Sequence, residues 1–109
     1  VEVRTALVAD DCATPDLATR RGIGGGFYQV KIAGAACAEA QSLEEAEAAV
    51  NKCRQNLRTL GVAVSAGSLP ETGEPTFTLG DDEIEIGLGA HGEVGVERAK
   101  LMPADVLTT

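Results

Sequence analysis

Residues 81–95 read Asp81-Asp82-Glu83-Ile84-Glu85-Ile86-Gly87-Leu88-Gly89-Ala90-His91-Gly92-Glu93-Val94-Gly95. In the first half, apolar Ile84, Ile86 and Leu88 alternate with acidic Glu83 and Glu85. A period of two is the signature of a strand with one face in a core and one in water. The expectation is therefore a half-buried strand whose glutamates face solvent. Glycine then recurs at 87, 89, 92 and 95, around the only histidine of the chain. Glycine frees the backbone to turn and lets a ligand approach it closely.

Working upstream, Gly80-Asp81-Asp82 reads as the turn into this strand, and Thr76-Phe77-Thr78-Leu79 as a short strand before it. Residues 67–75 hold two prolines and two glycines, a loop. Val62-Ala63-Val64-Ser65 reads as a buried strand. Before it, Ser42-Leu43-Glu44-Glu45 is a capping box, in which a serine oxygen accepts from the amide three residues on. Leu43, Ala46, Ala49 or Val50, Cys53, Leu57 and Leu60 follow as one apolar stripe. Gly61 is placed to end that helix in the left-handed region. A second helix is expected over about 26–40, with Phe27, Val30, Ala33 or Gly34, and Cys37 on one face. Residues 3–9 alternate weakly as a strand and run through Asp10-Asp11 into a polar loop. Downstream, Met102-Pro103-Ala104-Asp105 suggests a turn or a helix start. These elements predict an α/β protein with mixed α+β layers, made of a small mixed sheet of about four strands and two main helices.

The 109 residues fit one domain at most. A formal charge of −8 argues against a nucleic-acid or anionic-membrane partner. No apolar run approaches the roughly 20 residues of a membrane span, and the first residues do not show the basic-then-apolar pattern of a signal sequence. Hydrophobic residues make up 44%, but only Phe27, Tyr28 and Phe77 are aromatic. So few large anchors predict that one face leans on a partner surface. Cys12, Cys37 and Cys53 are odd in number and widely spaced, which predicts small buried residues in a reducing, cytoplasmic setting. The chain opens on Val1 directly in strand-like sequence, as a piece of a longer protein would.

Gly22-Ile23-Gly24-Gly25-Gly26 superficially resembles a phosphate-cradling loop. A Walker loop needs Lys-Ser/Thr where Phe27-Tyr28 stand, and a dinucleotide fingerprint would follow directly from a strand. Close helix packing is the better account. Asp10-Asp11 could hold a metal, but paired carboxylates at a strand end more often cap the next turn. Glu44, Glu45 and Glu47 form a solvated helix face. His91 is either a surface residue or a functional one. A free imidazole titrates near roughly 6.5, so at neutral pH a ring nitrogen keeps a lone pair and can act as a nucleophile. Glu93 could accept a hydrogen bond from the other ring nitrogen.

The segments ADD, RRGIGGG, VKIAGAA, RTLGVAVSAGSLP, EIEIGLGAHGEVGV and LMPAD occur in this order. Together they resemble the C-terminal part of the substrate-binding subunit of dihydroxyacetone (glycerone) kinases, across nearly the whole chain. The family pattern at the histidine is close to G-I-H-G-E-P-G, so Ala90 stands in place of Ile and Val94 in place of Pro. The resemblance implies that His91 adds to the ketone carbon of dihydroxyacetone as a hemiaminal, with Gly89, Gly92 and Glu93 beside the substrate. It implies no metal or cofactor on this chain. ATP with Mg²⁺, or a phosphotransferase relay through bound ADP, belongs to a separate nucleotide-binding domain or subunit. It also implies a larger two-lobed unit, with residues 1–109 as its C-terminal portion and 1–20 joining the N-terminal half. That half carries the family's second histidine and catalytic aspartate, so this chain alone is expected to be inactive. A homodimer is expected. RRGIGGGFYQVKIAG departs from the commonest wording, which leaves open a kinase for a four-carbon ketose such as erythrulose. A ketose-sensing transcriptional coregulator without turnover is the other alternative.

Overall fold

A computed structural model describes residues 1–108, in two compact units, Val1–Thr59 and Leu60–Thr109. The first unit is helical. Helix α1 (Gly25–Glu39) packs against α2 (Leu43–Asn56). Ser42 caps α2 as its sequence predicts, its Oγ accepting from the Glu45 amide at 3.2 Å. Glu45 Oε2 reaches back to accept from the Gln41 amide, one residue beyond Ser42. Ala46 and Val50 are the buried positions of α2. The helix ends at Asn56, with Leu57 as its C-cap, rather than at Gly61. Gly61 does not take a positive φ. Instead its carbonyl receives the Gly87 amide at 2.6 Å, so Gly61 serves the sheet.

In α1 the expected apolar face is not the buried one. Phe27, Val30 and Cys37 are exposed, whereas Gly25 and Gln29 are buried. Gln29 turns inward because its Nε2 donates to the Ala6 carbonyl at 2.9 Å. The cysteines are not buried either: Cys12 and Cys37 are exposed and Cys53 is half-buried. Residues 3–9 run extended but join no strand, because no neighbouring strand lies alongside to take their amides. Arg4 ties this segment to α2, with ion pairs of 2.6 Å to both Glu44 and Glu47.

The second unit is a three-stranded antiparallel sheet in the order β1 (Val62–Ala63), β2 (Glu83–Ile86), β3 (Glu97–Lys100). Three strands replace the four expected, and the sheet is antiparallel throughout rather than mixed. Thr76-Phe77-Thr78-Leu79 is irregular, and β1 keeps only two residues, with Val62 and Val64 exposed. β3, whose sequence ERAK lacks strand-like alternation, forms because β2 supplies a full ladder from Glu83↔Lys100 to Ile86↔Glu97. Ile84 is fully buried at its centre. The expected solvent face of β2 is only half right, since Glu85 is buried as well. A short α3 (Ala104–Leu107) follows Pro103.

Candidate functional site

In the second unit, β2 runs directly into the histidine segment. Gly87 takes a φ of 81° and Gly92 a φ of 84°, a region that costs an L-residue roughly 1–2 kcal/mol. Between them the chain folds into a tight loop. The Gly89 amide donates to the Glu93 carbonyl at 2.9 Å, and the Gly92 amide to the Gly89 carbonyl at 3.1 Å. The Glu93 carboxylate closes the turn by accepting from the His91 amide at 3.0 Å. His91 thus stands at the tip of a braced turn with its side chain 91% exposed. Its Nδ1 lies 3.6 Å from Glu93 Oε1, ion-pair range but too long for a hydrogen bond. Glu93 therefore fixes the backbone under the imidazole, a role its expected places beside the ring and the substrate did not include.

Behind the turn Glu85 acts as a brace. Its Oε1 accepts from the Gly95 amide at 2.7 Å, and Oε2 lies 3.5 Å from the Arg98 guanidinium. A Cβ on Gly95 would come within 2.7 Å of Glu85 Cγ, so glycine is required there. The strand alternation placed Glu85 in water, and nothing in the local pattern signals a backbone partner ten residues on.

His91 borders a cleft of about 370 Å³. One wall is the segment from Leu88 to Gly92, which carries the candidate residues Gly89, His91 and Gly92. The other wall is Ser65, Gly67, Thr76 and Phe77. Those four come from stretches read only as a strand and a loop, so sequence reasoning missed them. Glu93, the remaining predicted substrate contact, lies outside the lining and supports the turn.

The other candidate residues serve structure in the first unit. Asp10 is buried and caps the start of α1, accepting from the Ile23 amide at 3.1 Å, the Gly25 amide at 2.8 Å and the Thr59 hydroxyl. Burial by itself would raise its pKa. The hydrogen bonds from Thr59, Gly25 and Ile23 outweigh burial and hold it below the ordinary carboxylate value. A Cβ on Gly25 would sit 2.5 Å from Asp10 Cγ, so within the glycine run it is Gly25 that the cap requires. The amides that a phosphate would use already hold a carboxylate. Asp11, fully buried, accepts from the Ala13 amide and pairs with Arg21 at 2.5 Å. Among the described residues no group of three or more His, Cys, Asp and Glu stands together. No described helix is long and apolar enough to cross a membrane.

The family model described as the Dak1 domain matches residues 1–109. The dihydroxyacetone-binding subunit of a PTS-dependent dihydroxyacetone kinase from Listeria innocua is 46% identical over 107 residues, covering 95% of this chain and 32% of that subunit. Triokinase/FMN cyclase of Rattus norvegicus is 43% identical over 111 residues, covering 100% of this chain and 19% of that enzyme. The chain thus spans about a third of the first of these relatives and about a fifth of the second. Among solved structures, a dihydroxyacetone kinase operon co-activator superposes with a TM-score of 0.71 at 31% identity, over 81% of this chain and 27% of that one.

Proposed function

The chain belongs to the Dak1 domain family, and from that premise we propose that it is the ketose-binding part of a dihydroxyacetone kinase-like phosphotransferase. The observation that carries this reading is the single imidazole held by a glycine turn at the mouth of a cleft with hydroxyl groups opposite. With Nδ1 toward Glu93, Nε2 is the nucleophile. Its lone pair attacks the ketone carbon while the carbonyl π pair moves onto oxygen. That oxygen gains a proton as the ring loses its own from Nδ1, and Glu93 Oε1 is the nearby acceptor. The product is a hemiaminal, in which the ketone is held without loss of water. Dehydration is barred because it would cost the ring its aromaticity.

Anchoring positions the terminal hydroxyl but moves no phosphoryl group. Transfer needs a base and an in-line donor, and we assign both to partners: the rest of a relative-length polypeptide and a nucleotide-binding domain or subunit carrying ATP with Mg²⁺ or a phosphotransferase relay. A cytoplasmic homodimer is the setting that fits this role. Intact-mass spectrometry of the chain with dihydroxyacetone tests the anchor. The expected product carries the full mass of the ketone, and His91→Asn abolishes it. A water-deficient adduct, as a lysine Schiff base would give, overturns the assignment.

The similarity to an operon co-activator favours a second reading, in which the ketose is sensed and not turned over. Reconstitution with the remaining kinase components separates the two. Turnover that depends on His91 supports the kinase, and ketose binding with no turnover supports the sensor.

A further inference from the structure

The loop that carries His91 is braced within itself, so the direction of the imidazole is set where the loop joins the sheet. It has two feet. At the first, the Gly87 amide donates to the Gly61 carbonyl at 2.6 Å, a backbone bond. At the second, the Val96 amide donates to the Ile86 carbonyl at 2.8 Å, and the Gly95 amide to Glu85 Oε1 at 2.7 Å. A side chain of β2 therefore holds the second foot. Glu85 pairs directly across the ladder with Arg98 of β3. Such partners project on one face of a sheet, within reach of each other. The Arg98 guanidinium lies 3.5 Å from Oε2, which leaves Oε1 turned toward Gly95. The Glu85 side chain is only 5% exposed, so little solvent competes for the Gly95 amide.

We propose that Glu85, aimed by its cross-strand partner Arg98, is a positioning residue for His91, carrying the β2–β3 register into the turn. The inference rests on His91 as the ketose anchor and adds what keeps that anchor in place. Glu85 does not line the cleft; it acts through the backbone at Gly95. A nucleophile works only when it stands close to the reacting carbon and in line with it, and a displacement of about 1 Å costs up to roughly a hundredfold. The exposed imidazole has little packing of its own to fix it, so the backbone beneath decides where the ring stands. Released at Gly95, the loop can pivot on its Gly87 foot and carry the ring away while the sheet persists.

The test compares adduct affinity with stability. Affinity is read by intact-mass titration with dihydroxyacetone, per folded molecule as counted by circular dichroism, and stability by urea denaturation. Glu85→Leu removes the acceptor from Gly95 and is expected to weaken the adduct by roughly tenfold to a hundredfold. Glu85→Gln returns one acceptor oxygen and is expected to recover most of that loss while stability stays lowered. Arg98→Met, at a half-exposed side chain that folding does not depend on, is expected to weaken the adduct by less than Glu85→Leu does. Ile84→Val trims a methyl from the fully buried neighbour on β2, and is expected to lower stability and leave adduct affinity unchanged. Affinity that falls with stability in every variant, Ile84→Val included, makes Glu85 merely structural and overturns the proposal. An unweakened adduct in Glu85→Leu overturns it too. Absence of any wild-type adduct, or one that survives His91→Asn, instead overturns the anchor. The Cε1–Hε1 NMR resonance of His91 then decides the role of Glu85. A shift in Glu85→Leu and Arg98→Met but not in Ile84→Val supports positioning, and one position in all of them overturns it.

Discussion

His91, Gly92 and Glu85 define the site at the scale of single residues, each by a different physical constraint. Gly92 has a φ of 84° with no heavy atom within 4 Å of where a Cβ would lie. Gly92→Ala therefore suffers from backbone conformation alone, and should lower stability by about 1 kcal/mol. It should also reduce ketose adduct formation by shifting the imidazole. Gly67→Ala, equally open but without the positive φ, should leave stability unchanged when both are compared by urea denaturation. Glu85→Gln keeps shape, yet its amide can present only one acceptor oxygen to Gly95 and Arg98. A loss of about 1–3 kcal/mol is expected from weakening this buried charge-assisted bonding. His91 itself was legible because a lone histidine among four glycines is rare chemistry in a strand-to-loop junction. Glu85 was not, since its partner Gly95 is set by the turn between them.

Between residues and the molecule, the element most dependent on a single side chain is α1. Its N-terminus is closed by Asp10, an acceptor from outside the helix, because Gly24 offers no capping side chain. Asp10→Asn exchanges an acceptor for a donor that cannot serve both Ile23 and Gly25, and should cost about 1–3 kcal/mol. The carboxylate also makes stability depend on pH. Its pKa is lowered in the folded chain from an ordinary 3.8, so the unfolded chain binds the proton more readily. The contribution is fully present above about that value and is lost as the pH falls below it. Acid titration followed by circular dichroism should show a loss of helix below pH 4 that Asp10→Asn lacks. Helix α2 stands on local signals instead. Ser42→Ala should cost about 1 kcal/mol, the usual worth of an N-cap.

For the molecule as a whole the deciding quantity is how little is buried. Among the described residues the buried hydrophobic set is Ala9, Ala46, Val50 and Ile84, while Val3, Leu7, Phe27, Tyr28 and Val30 are exposed. So small a core leaves little to offset chain entropy, and the isolated chain should bind 8-anilinonaphthalene-1-sulfonate and unfold over a broad temperature range. A sharp transition with no dye binding would show that these side chains are covered in solution. Phosphorylation of dihydroxyacetone by this chain alone, with ATP and Mg²⁺ supplied, should be undetectable in a coupled kinase assay. The proposed imidazole anchor would hold the ketone without supplying a donor site.

The sequence by itself determined the elements whose causes are local: α2 from its serine cap and apolar stripe, α1 within one residue at each end, and β2 from its alternation. It also determined the family, through the order of its segments and the histidine motif. Tertiary structure decided everything that requires a partner distant in sequence. Strand β3, without alternation of its own, exists because β2 offers it a ladder, whereas residues 3–9 alternate weakly and join no strand. Gln29 and Glu85 are buried because backbone groups elsewhere accept or donate to them. The far wall of the His91 cleft lies 14 or more residues away along the chain, and folding alone brings it there. Hydrogen bonds and packing between remote segments carry no period, and so leave no mark in the local pattern.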